Sequence, residues 1–341
     1  MVSTVAASPN DARGLRNRLN RIRHYDVNVS DLERSIAWYQ ATTGIKPIMR
    51  TSADQGFPSL GLAHGRFEGC MLQDPDQGGK FPMIHLVEWK DPKPVGTPYR
   101  SHANVGWYRI VPEVTDLAEA RERCIANGST PFAPSIDAMV KFHRHVDAHR
   151  YRVFTVHDPD GIAVEFSQPE ARLRQPVVPI VVAHNTADVA GHMPFYTDTL
   201  GLDFMQGLQV GEPMPNVYSP GGGMVGHDGA LMGLRGDVKV MFDWLQWNDT
   251  PDLPHPYAEP NHLGIMRCAF EVDDLDAAHA TLLRSSWYKA GKIKVAAPED
   301  WDLGAEAGSI RVVNFTDPEG VGFQLVQQPP YPNATLNAYG L

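Results

Sequence analysis

The feature of this sequence that most constrains its fold is an internal repeat. Four landmarks recur in one order: Trp38-Tyr39 as Phe195-Tyr196, Trp89 as Trp247, Gly106 as Gly264, and His157-Asp158-Pro159 as Thr316-Asp317-Pro318. The two members of each pair lie 157 to 159 residues apart. A constant offset across several landmarks indicates that the chain consists of two homologous halves.

The repeat predicts two domains of ordinary size, at residues 21–172 and 177–330. We place the linker between them near Gln175. The first twenty residues contain several arginines but no apolar core, which argues against a secretory signal. We therefore interpret residues 1–20 as a flexible leader and residues 331–341 as a tail.

Each half divides again into two modules with the order β-α-β-β-β. Residues 22–29 alternate between apolar and polar side chains, as a half-buried strand does. Asp31 then occupies the N-cap position of a helix that ends at Gly44. The same order can be followed from Tyr108, and again in the second half. Because a single module is too small to bury a good core, we expect the two modules of each half to pair with each other. The predicted fold class is α+β, built from four βαβββ modules.

Charge and cysteine content exclude several functions. A net charge of -10 argues against nucleic acid or an anionic membrane surface as a partner. The sequence has no apolar run of the ~20 residues that a membrane-spanning helix needs. The three cysteines are odd in number and far apart, so we expect a reducing, cytoplasmic location and no disulfide framework.

Polar side chains follow one face of the first predicted strand. His24, Asp26 and Asn28 share this face, whereas the alternating residues Tyr25, Val27 and Val29 are mostly apolar and face the other way. A strand with this pattern suits the wall of a ligand-binding cup. Glu165 is a lone carboxylate in an apolar strand, and its burial requires a cation or an arginine nearby.

The whole pattern resembles the vicinal-oxygen-chelate superfamily, which includes glyoxalases, bleomycin-resistance proteins and extradiol dioxygenases. The resemblance rests on the Asp31-Leu32 helix start, the Trp38-Tyr39 pair, Gly44, and the late Asp158-Pro159-Asp160-Gly161 hairpin, all within the duplication. It covers most of the chain. It implies two domains, each with a cup-shaped mixed sheet made from two modules.

The resemblance also implies metal ligands on the first and last strands of the modules. His24, His85 and Glu165 occupy three of the four ligand positions. The fourth position holds Arg109, which cannot ligate a cation. Two imidazoles and one carboxylate form the facial triad typical of non-haem iron(II) enzymes. We therefore predict a divalent metal, Fe²⁺ first, with Mn²⁺, Co²⁺ or Zn²⁺ as alternatives.

Arg109 and His145 are the candidate catalytic residues. Arg109 has two interpretations: it neutralises Glu165 in a metal-free pocket, or it holds a substrate carboxylate or enolate beside a bound metal. His145 lies between His143 and His149, and is either a general acid/base or part of a solvated loop. Asp26 either orients His24 or is a plain polar residue.

The C-terminal half is expected to have lost the metal. Its equivalent ligand positions hold Val181, Asp243, Arg267 and Gln324. Valine and arginine cannot bind metal, so we expect a structural or substrate-closing role for this half.

The predicted function is that of a metal-dependent enzyme acting on a small aromatic or enolisable substrate with two neighbouring oxygens. Extradiol ring cleavage is placed ahead of glyoxalase-type isomerase or lyase chemistry. A metal-free protein that sequesters an aromatic ligand is the alternative from another class. The oligomeric states that the sequence allows include a homodimer.

Overall fold

The fold repeats the predicted order β-α-β-β-β four times, which confirms the α+β class. The structure, a computed structural model, describes residues 14–74, 82–132, 136–143, 149–169, 180–209, 214–218, 223–234, 241–248 and 259–327, with the single residues 253, 255 and 257. Within these residues, none of the helices has the length and apolar character needed to cross a membrane.

The first half of the chain supplies two modules. The first contains β1 (Leu19–Asn28), α1 (Leu32–Thr43), β2 (Lys46–Phe57), β3 (Leu62–Gln73) and β4 (Met83–Asp91), with a 3-10 turn at Pro58–Leu60. The second contains β5 (Gly106–Pro112), α2 (Leu117–Ala126), β6 (Ile136–His143), β7 (His149–His157) and β8 (Ala163–Pro169).

The second half supplies two further modules with short additions. The third contains β9 (Ile180–Asn185), α3 (Val189–Pro194) with a π-helical turn at Phe195–Thr199, β10 (Asp203–Gln209), β11 (Met214–Pro215), β12 (Met224–Val225), β13 (His227–Gly233) and β14 (Met241–Trp247). The fourth contains β15 (Gly264–Val272), α4 (Leu275–Arg284), α5 (Ser286–Lys289), β16 (Glu299–Asp302), α6 (Gly304–Ala307), β17 (Ser309–Thr316) and β18 (Gly322–Gln327).

The main helix of every module begins with the same aspartate cap. In each case the carboxylate accepts a hydrogen bond from the backbone N–H three residues further on, which satisfies one of the free donors of the first turn. The four capping residues are Asp31, Asp116, Asp188 and Asp274. This local signal explains why the helix starts at the same point in all four modules.

The modules pair across the two halves of the chain. The first and fourth modules form an eight-stranded sheet in the order β16-β17-β18-β15-β1-β4-β3-β2. The second and third modules close into a barrel in the order β10-β13-β14-β9-β5-β8-β7-β6. The first strands of the partners run antiparallel, β1 beside β15 and β5 beside β9.

This pairing corrects the expectation that residues 21–172 and 177–330 each pair their own two modules. Each half instead contributes one module to the sheet and one to the barrel. The physical reason is that the four modules have similar apolar faces. The apolar pattern within one module therefore does not specify which module is its partner.

The segment that follows β4 lies beside the described part of the segment that follows β14, and equivalent residues of the two segments contact each other. Val95 bridges to His262, Asn104 bridges to Leu253, and the ring of Tyr99 stacks on that of Tyr257 at 4.3 Å. The duplication therefore extends to how the segment after β4 packs on the described part of the segment after β14.

Trp107 on β5 joins the barrel to the eight-stranded sheet. Its indole is 1% exposed and lies 5.4 Å from the Tyr25 ring on β1 and 5.3 Å from the Phe323 ring on β18. Its Nε1–H donates to the Gly322 carbonyl at 3.0 Å. One side chain therefore packs on both sheets and satisfies its only donor.

We expect the Trp107→Ala substitution to lower the free energy of unfolding by about 3–5 kcal/mol, because it leaves a large cavity between the sheets. Urea denaturation of the purified protein measures the loss. Trp107→Phe is the matched control, since it keeps an aromatic ring at this position while removing the indole N–H and part of the ring volume, and its loss should be smaller. Equal stability of wild type and Trp107→Ala would contradict this role.

Candidate metal centre

Strands β1 and β4 bring three polar side chains together on the inner face of the eight-stranded sheet. His24 and Asp26 project to the same side of β1, because they are two residues apart. Asp26 is the Cα partner of His85 in the parallel ladder between β1 and β4. All three side chains are buried, with exposures of 2% to 5%.

The geometry of this group centres on one carboxylate oxygen. The distance from Asp26 Oδ1 to His85 Nδ1 is 2.6 Å, and from Asp26 Oδ1 to His24 Nε2 it is 3.4 Å. The three ligand atoms all lie within 4.8 Å of one another. Thr51 fixes the other side of the His85 ring, with its Oγ1 2.8 Å from Nε2.

Arg267 on β15 completes the floor of the cup. It is the Cα partner of Asp26 across β1 and β15, and its Nε donates to Asp26 Oδ2. Its guanidinium carbon lies 5.0 Å from the centroid of the Trp301 ring, which is a cation–π contact. Asp26 therefore presents one oxygen to the histidines and the other to the arginine.

Burial and charge set the protonation states of the group. Burial lowers the pKa of His24 to about 4, although Asp26 opposes the shift. Burial also raises the pKa of Asp26, but the charge of Arg267 and the hydrogen bonds of the histidines outweigh it and hold the pKa well below its usual range. A neutral imidazole and an ionised carboxylate result near neutral pH, and these are the forms that ligate metal.

We expect His24 to make stability pH-dependent in the metal-free protein. Its folded pKa of about 4 lies below its unfolded value of 6.5, so the unfolded state binds the extra proton between these values. The free energy of unfolding should therefore fall as the pH drops from 6.5 towards 4, by at most about 1.4 kcal/mol per pH unit from this group. Urea denaturation across this pH range measures the slope. His24→Gln should reduce it by up to that amount, and an unchanged slope would contradict the assignment.

The donor set fits a divalent cation. Two imidazoles and one carboxylate oxygen are hard-to-borderline donors that suit iron(II), manganese and zinc. His24, Asp26 and His85 are the residues that would hold such an ion. In the described part of the chain, no other group of three such side chains comes this close together.

Above this floor the cup has a mostly apolar wall. The apolar side chains that line it are Phe67, Met71, Val87, Trp89, Trp301, Leu303 and Ile310. The polar lining residues Asn28 and Gln324 already bond to protein groups, Asn28 to the Trp89 indole N–H at 3.2 Å and Gln324 to Asn314 at 3.0 Å. The wall is therefore mainly apolar, and the ionisable side chains of the cup lie at the floor.

The structure does not bring Glu165 to His24 and His85. Glu165 lies on β8 of the barrel, where its Oε2 is 3.2 Å from Nε of Arg109. Asp243 on β14 approaches the same arginine, with Oδ2 3.8 Å from Nη2. This arrangement matches the alternative in which Arg109 neutralises Glu165. Burial raises the pKa of Glu165, and the charge of Arg109 only partly offsets the shift.

The other sequence-predicted positions divide between the two cups. Arg267 and Gln324, assigned to the degenerate half, lie in the cup of His24 and His85. Val181 lies on β9 of the barrel, as Asp243 lies on β14. His145 lies outside the described residues, between the end of β6 and the start of β7, so its role as a general acid/base stays a prediction.

Sequence reasoning did not place Asp26 among the candidate metal ligands or Arg267 beside it. The signal for Asp26 was present, since it alternates with His24 on one strand face. The signal for Arg267 was not, because it depends on which modules pair.

Comparisons with known proteins agree with this fold. Residues 21–166, somewhat less than half of the chain, match the family model of the Glyoxalase/Bleomycin resistance protein/Dioxygenase superfamily. No curated protein sequence matches the chain.

Two solved structures share the arrangement over nearly the whole chain. Glyoxalase I from Zea mays is similar with a TM-score of 0.59 at 15% identity, covering 90% of this chain and 92% of its own. A candidate dioxygenase from Bacillus subtilis is similar with a TM-score of 0.54 at 13% identity, covering 92% of this chain and 87% of its own. At these identities the likeness establishes the fold.

Proposed function

We propose that this chain is a divalent-metal-dependent enzyme that acts on a small aromatic substrate with two neighbouring oxygens, by extradiol-type ring cleavage. The observation that carries the proposal is the buried group of His24, Asp26 and His85 at the floor of an apolar cup. Two histidines and one carboxylate would hold a divalent ion with three protein donors, which is the ligand set of non-haem iron(II) oxygenases.

The residues around this group are arranged to keep it ready for an ion. Arg267 holds Asp26 Oδ2, so that Oδ1 stays directed at the two imidazoles. Thr51 holds His85 from the opposite side of its ring. Such outer contacts orient ligands and typically contribute 10- to 100-fold to metal affinity.

The wall of the cup favours an aromatic substrate. Trp89 and Trp301 contribute large flat surfaces, and Phe67 packs edge-on against Trp89 with ring centroids 5.4 Å apart. A bound divalent ion would polarise the two substrate oxygens as a Lewis acid. In the overall reaction dioxygen is the oxidant, one ring C–C bond breaks, and both oxygen atoms end in the opened product.

A second candidate function is metal-free binding of an aromatic ligand. The observation that favours it is that the donor atoms already have protein partners: Asp26 contacts Arg267, and His85 contacts Thr51 and Asp26. In that case the cup sequesters its ligand without chemistry.

Elemental analysis after anaerobic purification, followed by oxygen uptake with catechol, tests the proposal. We expect about one iron per chain and oxygen consumption that depends on both iron and catechol. One bound manganese or zinc without oxygen uptake would favour isomerase or lyase chemistry instead. A chain that takes up no metal when iron, manganese or zinc is supplied would favour the sequestering function.

A further inference from the structure

We infer that Arg267 selects aromatic substrates that carry a carboxylate in addition to the two neighbouring oxygens. The inference rests on the proposed function, because it concerns the same cup. Arg267 lines the cavity beside Asp26, and its side chain is 14% exposed. It is therefore more exposed than the two histidines that line the same cavity.

Arg267 has a donor left for a ligand. Its Nε donates to Asp26, and its Nη1 donates to Asn314 Oδ1 at 3.3 Å. Within the described residues its Nη2 makes no hydrogen bond, and a guanidinium with free N–H groups suits a carboxylate.

The guanidinium is also held in place before a ligand arrives. It lies over the Trp301 ring, and the indole N–H of Trp301 donates to Glu299 Oε1 at 2.5 Å. Glu299 in turn accepts the backbone N–H of Ser59 at 3.1 Å. A donor fixed from two sides loses little conformational entropy on binding, which increases its contribution to affinity.

The charge balance of the cup calls for an anionic ligand. Asp26 and Arg267 balance each other, and the nearby Arg23 lies 3.9 Å from Glu271. A divalent ion on His24, Asp26 and His85 would add two positive charges. A catecholate that has lost one proton offsets one of them, and a ring carboxylate offsets the second.

The arginine at the equivalent position of the barrel is buried beside two carboxylates. Arg109 is 3% exposed, faces the two carboxylates Glu165 and Asp243, and lies 4.6 Å from the centroid of the Tyr218 ring. Both halves therefore have an arginine at this position, but the two arginines differ in their exposure and in their partners. Of these two arginines, Arg267 is the one that is partly exposed and lines a cavity.

Anaerobic calorimetric titration of the iron-loaded protein with catechol, 2,3-dihydroxybenzoate and 3,4-dihydroxybenzoate tests the inference. We expect one of the two dihydroxybenzoates to bind about tenfold to a hundredfold more tightly than catechol. This is the gain in affinity expected from one hydrogen bond to a charged group. Arg267→Gln should abolish this preference, so that the ratio of carboxylate to catechol affinity falls to about one. Arg267→Lys should keep part of it, because lysine keeps the charge without the fork. The exposed Arg311→Gln is the control and should behave as wild type.

Two results would overturn the inference: equal affinity of wild type for catechol and both carboxylates, or an unchanged carboxylate preference in Arg267→Gln. Iron content is measured for every variant, since Arg267 also contacts Asp26. If Arg267→Gln loses iron, the test depends on Arg267→Lys. A carboxylate preference in Arg267→Lys that equals that of wild type counts against the inference. Failure of the proposed function is distinct, because wild type would then bind no iron or would show no oxygen uptake with catechol.

Discussion

His85→Ala should lose its divalent metal, with affinity falling by more than about a hundredfold. Replacement of residues that only orient ligands already costs 10- to 100-fold, and His85 is one of three donors within 4.8 Å of one another. Alanine removes the imidazole and leaves Asp26 facing His24 alone. Metal titration of the stripped protein, monitored by calorimetry or by competition with a chelator, measures the change. Oxygen uptake should fall in parallel.

Two further variants sharpen this experiment. His64→Ala is the matched control, because His64 is exposed and contacts only Asp54. Glu165→Gln distinguishes the group that contains Asp26 from the sequence-predicted ligand set, which contains Glu165 instead. We expect Glu165→Gln to retain its metal. If Glu165→Gln loses metal as His85→Ala does, the group of His24, Asp26 and His85 is not the binding site.

Cutting the chain into its two halves should abolish folding of each half. A fragment of residues 1–172 keeps β1 without β15 and β5 without β9, so two central strands become open edges. We expect the isolated fragment to show no cooperative thermal transition by circular dichroism. Co-expression with a fragment of residues 173–341 should restore both sheets, one soluble complex and metal binding.

The control for this experiment is the uncut chain with a protease site inserted near Gln175, cleaved after folding. It should stay assembled, because the two fragments share both sheets. A fragment of residues 1–172 that unfolds cooperatively as a monomer would contradict the pairing across halves.

The order of elements was predictable from the sequence because it depends on local signals. The Asp31 and Asp116 caps, the Gly44 and Gly128 helix ends, and the alternation along β1 each act within a few residues. Which modules share a sheet is a long-range choice. The pairing of Asp26 with Arg267 joins residues that lie 241 positions apart, and their local patterns carry no information about each other.

The candidate site was predictable to the same extent. His24 could be identified because it lies on the polar face of β1, and His85 because it is a polar residue within an apolar run of β4. Glu165 satisfied the same criterion, but its partner turned out to be Arg109 in the barrel. Asp26 was visible as a neighbour of His24, whereas its place between two imidazoles follows from the parallel register of β1 with β4.

The pairing of modules across the halves also suggests how such a chain arises. Two copies of a half-length chain would exchange modules in the same way, and give a symmetric dimer with two identical cups. In that dimer every substitution would change both cups at once. Joining the copies into one chain removes this constraint. The cup that contains His24 and His85 can then keep its donor side chains, while Arg109, Glu165 and Tyr218 occupy the barrel. Fusion of the two copies, and not any single substitution, would allow the two cups to differ.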